Sequence, residues 1–104
     1  MRQTTVPGKL LYDGPILPEL RTVTPFEVSL EHTQEGHAAV VQEPDEYGVG
    51  DTPAEALEDL TQTLGELYLS LERDEPRLSG ELLSVWARLK SHVTIQSPGS
   101  RQGL

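Results

Sequence analysis

Carboxylates and imidazoles are the side chains of this sequence that could bind a metal or move a proton. Asp45, Glu46 and Asp51 lie close together in the sequence, and carboxylate oxygens are suitable ligands for Mg²⁺. His32 and His37 flank a predicted hairpin, but the four ligands of a tetrahedral site are not all present there. We therefore expect no metal, no cofactor and no catalytic residue. A small metal-dependent hydrolase or nuclease is the less favoured alternative.

The motifs of common catalytic and nucleotide-binding sites are absent from the sequence. It has no Gly-x-Ser-x-Gly nucleophile turn, no Walker loop and no Gly-x-Gly-x-x-Gly turn. It has no cysteine, which excludes disulfides, thiolate zinc sites and thiol nucleophiles. Gly48 and Gly50 precede a predicted helix start, but Asp51 and Glu55 would repel a phosphate there. The sequence therefore favours a protein that is not an enzyme.

The acidic residues are concentrated in one part of the chain. Seventeen Asp and Glu against eight Lys and Arg give a formal net charge of −9. Between Glu27 and Glu75 there are fourteen acids and one base, Arg73. A protein that binds nucleic acid needs clustered Lys and Arg, so DNA binding is not expected. Two interpretations stay open: a solvated surface that keeps the protein soluble, or an acidic face that attracts a basic partner.

The length of 104 residues predicts one small domain. We expect a flexible N-terminus over residues 1–8, an extended arm or short hairpin over 9–25, a single domain over 26–95 and a disordered tail over 96–104. No apolar run approaches the roughly 20 residues of a membrane span. The first residues also lack the apolar region of a secretory signal. The chain is therefore predicted to be cytoplasmic and not to contact a membrane.

Alternating apolar and polar residues predict the strands. In residues 26–32, Phe26, Val28 and Leu30 point to one face and the acids to the other, as in a half-buried strand. A short loop ending in Gly36 leads to a returning antiparallel strand over residues 37–42. Residues 47–50 are predicted as a third short strand, and residues 93–95 as a last strand or a fraying helix end.

Two helices are predicted after these strands. Thr52 as N-cap, Pro53 as the first helical residue and Glu55 at the third position form a capping box, with the Glu55 carboxylate accepting from the Thr52 amide. This helix runs to about residue 72 with an apolar stripe of leucines. A second helix starts at Ser79 and buries Trp86. The order β-β-β-α-α predicts an α+β fold in which the long helix packs on a small antiparallel three-stranded sheet.

Three segments together resemble the HicB-like family. They are residues 26–31, the stretch Ala-Ala-Val-Val-Gln-Glu-Pro-Asp of residues 38–45, and the Gly-Asp-Thr-x-x-Glu-Ala helix start of residues 50–56. The resemblance covers residues 26–73. It implies a truncated RNase H-like core of the order β-β-β-α, without the catalytic carboxylates of the nuclease.

Members of this family commonly act as antitoxins that bind a small basic ribonuclease toxin, HicA, and many form homo-oligomers. The resemblance therefore implies a protein-interaction module, and the distribution of acids predicts that its partner-binding face is acidic. The residues that we predict to bind the partner are Asp45, Glu46, Glu55, Glu58, Asp59, Glu66 and Glu72. Many members also bind operator DNA, but the single helix predicted after Glu75 is too short for a complete DNA-binding module. An alternative is an orphan protein that self-assembles through an edge strand across a two-fold axis.

Overall fold

The computed structural model describes residues 8–95 and contains seven strands and two helices in that range. The strands are β1 (Gly8–Tyr12), β2 (Pro15–Leu17), β3 (Leu20–Thr22), β4 (Phe26–Thr33), β5 (Gly36–Gln42), β6 (Asp45–Gly50) and β7 (Val93–Ile95). The helices are α1 (Pro53–Asp74) and α2 (Gly80–His92), joined by a 3₁₀ turn at Glu75–Arg77. Residues 1–7 of the predicted flexible N-terminus lie outside the described residues, and so does the predicted tail over 96–104.

The strands form two antiparallel sheets rather than the predicted single sheet of three strands. The first sheet has four strands in the order β1-β4-β5-β6, and the second has three strands in the order β2-β3-β7. The α+β class is confirmed, but the number of strands and sheets was wrong. The predicted three strands correspond to β4, β5 and β6. Strand β7 is the last strand that the sequence left open against a fraying helix end, and β1, β2 and β3 lie in the segment predicted as an arm or short hairpin. Their assembly into two sheets was not predicted, because β2, β3 and β7 have three residues each and β7 pairs with β3 far away in the sequence.

Residues 9–25, predicted as an arm or a short hairpin, supply strands to both sheets. Strand β1 pairs with β4 from Gly8 opposite Leu30 to Tyr12 opposite Phe26, and β2 and β3 form a hairpin. A hydroxyl network holds the turn between β1 and β2. Thr22 Oγ1 donates to Asp13 Oδ1 at 2.6 Å and accepts from the Gly14 amide at 2.8 Å. Thr22 is fully buried, and this network satisfies its hydroxyl.

The hairpin between β4 and β5 is tighter than the sequence suggests. Pairing continues to Thr33 opposite Gly36, which leaves a connection of only Gln34 and Glu35. Gly36 has φ of +146°, a conformation that residues with a side chain rarely adopt. The glycine expected at the end of this loop is therefore required by the backbone conformation.

Helix α1 covers one face of the four-stranded sheet and forms the core with it. The sheet contributes Phe26, Val28, Ala39 and Val41, all nearly inaccessible to solvent. The buried residues of α1 are Ala56, Leu60, Leu64, Gly65, Tyr68 and Leu71. Full burial of one Leu side chain contributes about 1.5–3 kcal/mol. Leu60, Leu64 and Leu71 of the predicted leucine stripe thus form the inner face of α1. Leu57 and Leu67, which the sequence also predicts to be core, are only partly buried against it.

The predicted caps are present at both helix starts, with one difference at α1. Thr52 Oγ1 accepts from the Glu55 amide at 3.1 Å, and Pro53 is the first helical residue. The Glu55 carboxylate accepts from the Asp51 amide at 2.9 Å rather than from that of Thr52. At α2, Ser79 Oγ accepts from the Leu82 amide at 3.4 Å. The two helices therefore begin where the sequence predicts.

Helix α2 and strand β7 connect the second sheet to the core. Trp86 is buried as predicted, and its ring meets Tyr68 of α1 edge to face at 4.8 Å. At the end of α2, His92 stacks on Phe26 with ring centroids 4.5 Å apart, and His92 Nδ1 lies 3.0 Å from the Thr24 carbonyl oxygen. Neither α1 nor α2 is long and apolar enough to cross a membrane.

Replacing Gly48 with alanine is expected to destabilise the protein by about 1–3 kcal/mol, because overpacking has costs of this size. A Cβ atom at Gly48 would lie 2.5 Å from the Ala56 carbonyl oxygen and would also overlap the backbone of Leu60. Neither backbone can give way without separating β6 from α1. Urea unfolding at neutral pH measures the effect.

The matched control is Gly80→Ala, at the first position of α2, where no atom lies within 4 Å of the added Cβ. This substitution is expected to leave stability unchanged or to raise it by up to about 1 kcal/mol. Equal effects of the two substitutions would show that the close packing of β6 on α1 is not required.

Candidate functional site

The seven acids that the sequence predicts to bind a partner lie on two neighbouring elements. Five belong to α1 and two begin β6, and all are exposed except Glu46, which is half-buried. We call this set the acidic surface: Asp45, Glu46, Glu55, Glu58, Asp59, Glu66 and Glu72.

Strand β6 runs along α1 in the opposite direction, and this sets the level of its two acids along the helix. The backbone of Gly50 lies against Glu55 and Ala56, and that of Gly48 lies against Ala56 and Leu60. Given a rise of about 3.3 Å per strand residue and 1.5 Å per helix residue, the start of β6 lies level with the middle of α1. Asp45 and Glu46 are therefore at the level of the α1 turns that carry Glu66.

No base within residues 8–95 neutralises the acidic surface. The four ion pairs in that range are Arg73–Asp74, Arg77–Asp74, Arg88–Glu43 and Lys90–Glu75. All of them use acids outside the acidic surface, and all are solvent-exposed pairs of small energy. Four of the six described bases are thus grouped around the end of α1 and along α2, and the other two, Lys9 and Arg21, lie on β1 and β3. None of the six forms an ion pair with the acidic surface.

Three members of the acidic surface accept hydrogen bonds from other groups of the chain. Asp59 Oδ2 accepts from the Val49 amide of β6 at 2.9 Å, and Glu55 accepts from the Asp51 amide. Glu66 accepts from the Gln62 side chain at 2.8 Å. Substitution of Asp59 or Glu55 would therefore disturb the fold as well as the surface charge. By contrast, no hydrogen bond or ion pair within residues 8–95 uses the carboxylates of Glu58 or Glu72.

The carboxyl of Glu46 has a raised pKa in the folded protein. Burial raises the pKa of the Glu46 carboxyl above its ordinary value, and the adjacent charge of Asp45 raises it further. The folded protein thus disfavours the ionised form of this side chain.

The residues considered as metal ligands do not converge. Asp45 begins β6 and Asp51 follows its last residue, so their backbones are separated by about 20 Å along the strand. His32 and His37 face each other across β4 and β5 with ring centroids 4.7 Å apart. Within residues 8–95 no group of three or more His, Asp or Glu side chains could hold a metal ion.

Two concave features of the surface were not predicted from the sequence. The first, which we call the α1–β2 groove, has a volume of about 730 Å³ and lies between β2 and the first turns of α1. Its walls include Tyr12, Ile16, Leu17, Leu57, Glu58 and Thr61. The only sequence signal for it is the apolar run of residues 15–18, whose position against α1 the sequence does not reveal.

The second feature is a cleft of about 330 Å³ where β4 and β5 separate. Pairing of these strands ends at Ser29 opposite Val40, and the residues beyond that point line the cleft. Arg88 and His92 of α2 close one side of it, and the Arg88 guanidinium pairs with Glu43 at 3.1 Å. This cleft, unlike the acidic surface, therefore contains mixed charges.

Replacing Glu46 with glutamine is expected to stabilise the protein at neutral pH and to have little effect below about pH 4. A carboxyl with a raised folded-state pKa contributes stability that is present below its unfolded-state pKa and is lost as the pH rises through its folded-state pKa. Glutamine removes that loss. Urea unfolding of both proteins between acidic and neutral pH measures the difference.

The control is Glu72→Gln, which removes one charge from an exposed position of α1. This control reports how the removal of one negative charge by itself changes the free energy of unfolding. A Glu46→Gln profile that parallels the Glu72→Gln profile at every pH would contradict the assignment of the pH dependence to burial at Glu46.

Comparison of the chain with protein-family models, with curated protein sequences and with solved structures found no match. The resemblance to the HicB-like family therefore depends on the motifs of residues 26–73. These motifs correspond to β4, β5, β6 and α1, the four elements that build and carry the acidic surface.

Proposed function

We propose that this protein is a non-catalytic cytoplasmic interaction module, similar to HicB antitoxins, that neutralises a small basic ribonuclease toxin. The observation that carries this proposal is the acidic surface on α1 and β6, which no base within residues 8–95 neutralises. Its members come from the part of the chain with fourteen acids and one base.

The charge of the acidic surface suits a basic protein and opposes a nucleic acid. A partner whose Lys and Arg side chains face this surface is attracted over a distance comparable to the Debye length, about 8–10 Å at physiological salt. Such steering raises association rates and suppresses partners of the same sign. Nucleic acid phosphates would be repelled by the same carboxylates.

The mechanism follows from how a ribonuclease binds its substrate. Such an enzyme holds RNA through Lys and Arg contacts with phosphates, and those contacts supply much of its affinity. A rigid acidic helix placed over these side chains competes with RNA for the same charges. Binding of the module therefore blocks the substrate without any chemical step.

The resemblance supports this class of partner through specific elements. The Gly-Asp-Thr-x-x-Glu-Ala motif is the N-terminal cap of α1, where Thr52 and Glu55 bind backbone amides. This cap fixes the start of the helix that carries five of the seven acids. The motif on which the resemblance depends and the acidic surface are therefore parts of one structural unit.

Reversing two charges of the acidic surface, Glu58→Lys with Glu66→Lys, is expected to weaken neutralisation of the partner by about tenfold or more. The expected partner is a small basic protein that co-purifies from the native host and cleaves RNA. Addition of the wild-type module in equal amount is expected to stop this cleavage. Titration of the cleavage reaction with each variant measures the loss.

The matched control is Glu19→Lys with Glu35→Lys, which makes the same change of net charge at two exposed turn residues. This variant is expected to inhibit nearly as well as the wild type. The proposal fails when no basic ribonuclease co-purifies, or when the control variant loses as much inhibition as the reversal on α1.

Self-association is a second candidate function, and the exposed apolar residues of the four-stranded sheet favour it. The face of this sheet opposite α1 exposes 69% of Leu11, 64% of Tyr47 and 54% of Val49. Strand β1, which carries Leu11, is an edge strand. The other edge is less suitable for pairing, because Asp59 already accepts from the Val49 amide of β6.

Under this second candidate, Leu11→Lys is expected to convert a dimer to a monomer by burying a charge at the paired edge. Light scattering over about a hundredfold range of concentration measures the mass, since self-association depends on concentration. The control is Leu82→Lys at an exposed apolar position of α2. A wild-type protein that stays monomeric over the whole range would contradict self-association.

A further inference from the structure

We infer that the α1–β2 groove binds an amphipathic basic segment of a partner protein, with apolar side chains in the groove and Lys or Arg side chains at its edge. This inference deepens the proposed function, on which its choice of a basic partner rests. It assigns the contact to one end of α1 rather than to the whole acidic surface.

The groove is already formed in the folded protein, because β2 is fixed against α1 beside it. Gly65 of α1 lies so close to Leu17 and Ile16 of β2 that a Cβ atom there would overlap Leu17 and lie 3.1 Å from Ile16 Cγ2. Ile16 is 5% exposed and belongs to the core. A partner would therefore meet a groove that is already formed and would not have to open one, which lowers the ordering cost of binding.

The residues that line the groove indicate that the partner segment has apolar side chains. Tyr12, Ile16, Leu17 and Leu57 contribute apolar surface, and the volume of about 730 Å³ lies in the range of sites that bind a ligand or several side chains. Leu17 and Leu57 are only partly buried in the structure. Apolar side chains of a partner would complete their burial, and the removal of this apolar surface from water favours binding.

The charge at the edge of the groove indicates that the partner segment also has basic side chains. Glu55 and Glu58 line the groove, and no Lys, Arg or His does so among the described residues. Glu58 has no hydrogen bond or ion pair to its carboxylate within residues 8–95, so its acceptor capacity is open to an incoming cation. The groove therefore suits a segment that presents apolar and basic side chains next to each other.

The same charges argue against the other occupants of an apolar groove. A second copy of this chain has a net charge of −9, so the overall repulsion between two copies opposes it as the occupant. The cleft between β4 and β5 offers a contrast within one molecule, because its acids Glu27 and Glu43 are accompanied by Lys9, Arg88 and His92. Of the two concave features, only the α1–β2 groove combines apolar walls with an acidic edge.

Fluorescence anisotropy with a labelled amphipathic helical peptide of Leu and Lys tests the inference on the full chain. We expect this probe to bind, a version with Glu in place of Lys not to bind, and a version with Ser in place of Leu to bind at least about tenfold more weakly. Ala54→Phe and Thr61→Phe, which fill the groove, are expected to weaken binding of the Leu-Lys probe by about tenfold or more. Thermal unfolding establishes that each variant is folded.

Two controls separate the groove from general charge attraction. Ala87→Phe adds the same side chain at an exposed position of α2 outside the groove and is expected to leave binding unchanged. Glu66→Lys changes an acid of α1 outside the groove, and its effect is expected to be several times smaller than that of Glu58→Lys. Unchanged binding in folded Ala54→Phe and Thr61→Phe, or equal effects of the two reversals, would overturn the inference.

The inference and the proposed function can fail separately. Inhibition of a co-purified basic ribonuclease that survives Ala54→Phe but not Glu58→Lys with Glu66→Lys would retain the function and reject the groove. Probe binding that Ala54→Phe abolishes, without any ribonuclease that the protein inhibits, would retain the groove and reject the function. A dimer that Ala54→Phe dissociates, together with no binding of the probe, would identify a second copy as the occupant and overturn the inference.

Discussion

The close contact between strand β6 and helix α1 is the constraint on which the rest of this molecule depends. It is made by backbone atoms, because Gly48 and Gly50 carry no side chain where they meet the first turns of α1. The Val49 amide of β6 also donates a hydrogen bond to the Asp59 carboxylate of α1. Together these contacts fix the distance and rotation of α1 relative to the sheet. The leucine stripe is thereby turned into the core, and the acids of the opposite face are turned toward solvent.

This rotation has an electrostatic consequence. The described ion pairs lie near the end of α1 and along α2, where Asp74, Glu75 and Glu43 meet most of the described bases. The acids of α1 and of the start of β6 have no such partners within residues 8–95. Glu46 experiences both partial burial and the charge of Asp45, which together raise its pKa. The chain thus keeps a region of like charge, which stabilises the fold less than paired charges would but suits a basic partner.

The second sheet supplies one wall of the α1–β2 groove, which lies beside the acids of α1. Its strands come from the two ends of the described chain, and β3 pairs with β7 from Leu20 opposite Ile95 to Thr22 opposite Val93. This pairing holds the β2–β3 hairpin beside α1, where Ile16 and Leu17 pack against Gly65. The α1–β2 groove exists because these elements meet. Shape and charge therefore have different origins: the charge lies within one helix and one strand, whereas the shape needs contacts between residues far apart in the sequence.

The sequence by itself determined the local elements, because their signals are contained in a few neighbouring residues. The alternation that starts at Phe26, the cap at Thr52, the helix start at Ser79 and the burial of Trp86 are all found in the structure. The exposure of six of the seven predicted partner-binding acids follows from the same helical and strand periodicity. Only the tertiary structure decided that there are two sheets, that Asp45 and Asp51 lie at opposite ends of β6, and that β2 forms a groove with α1. These features depend on pairing and packing between segments that are far apart in the sequence. Such contacts cannot be read from the periodicity of a single segment, because that periodicity shows which residues are buried but not what they are buried against.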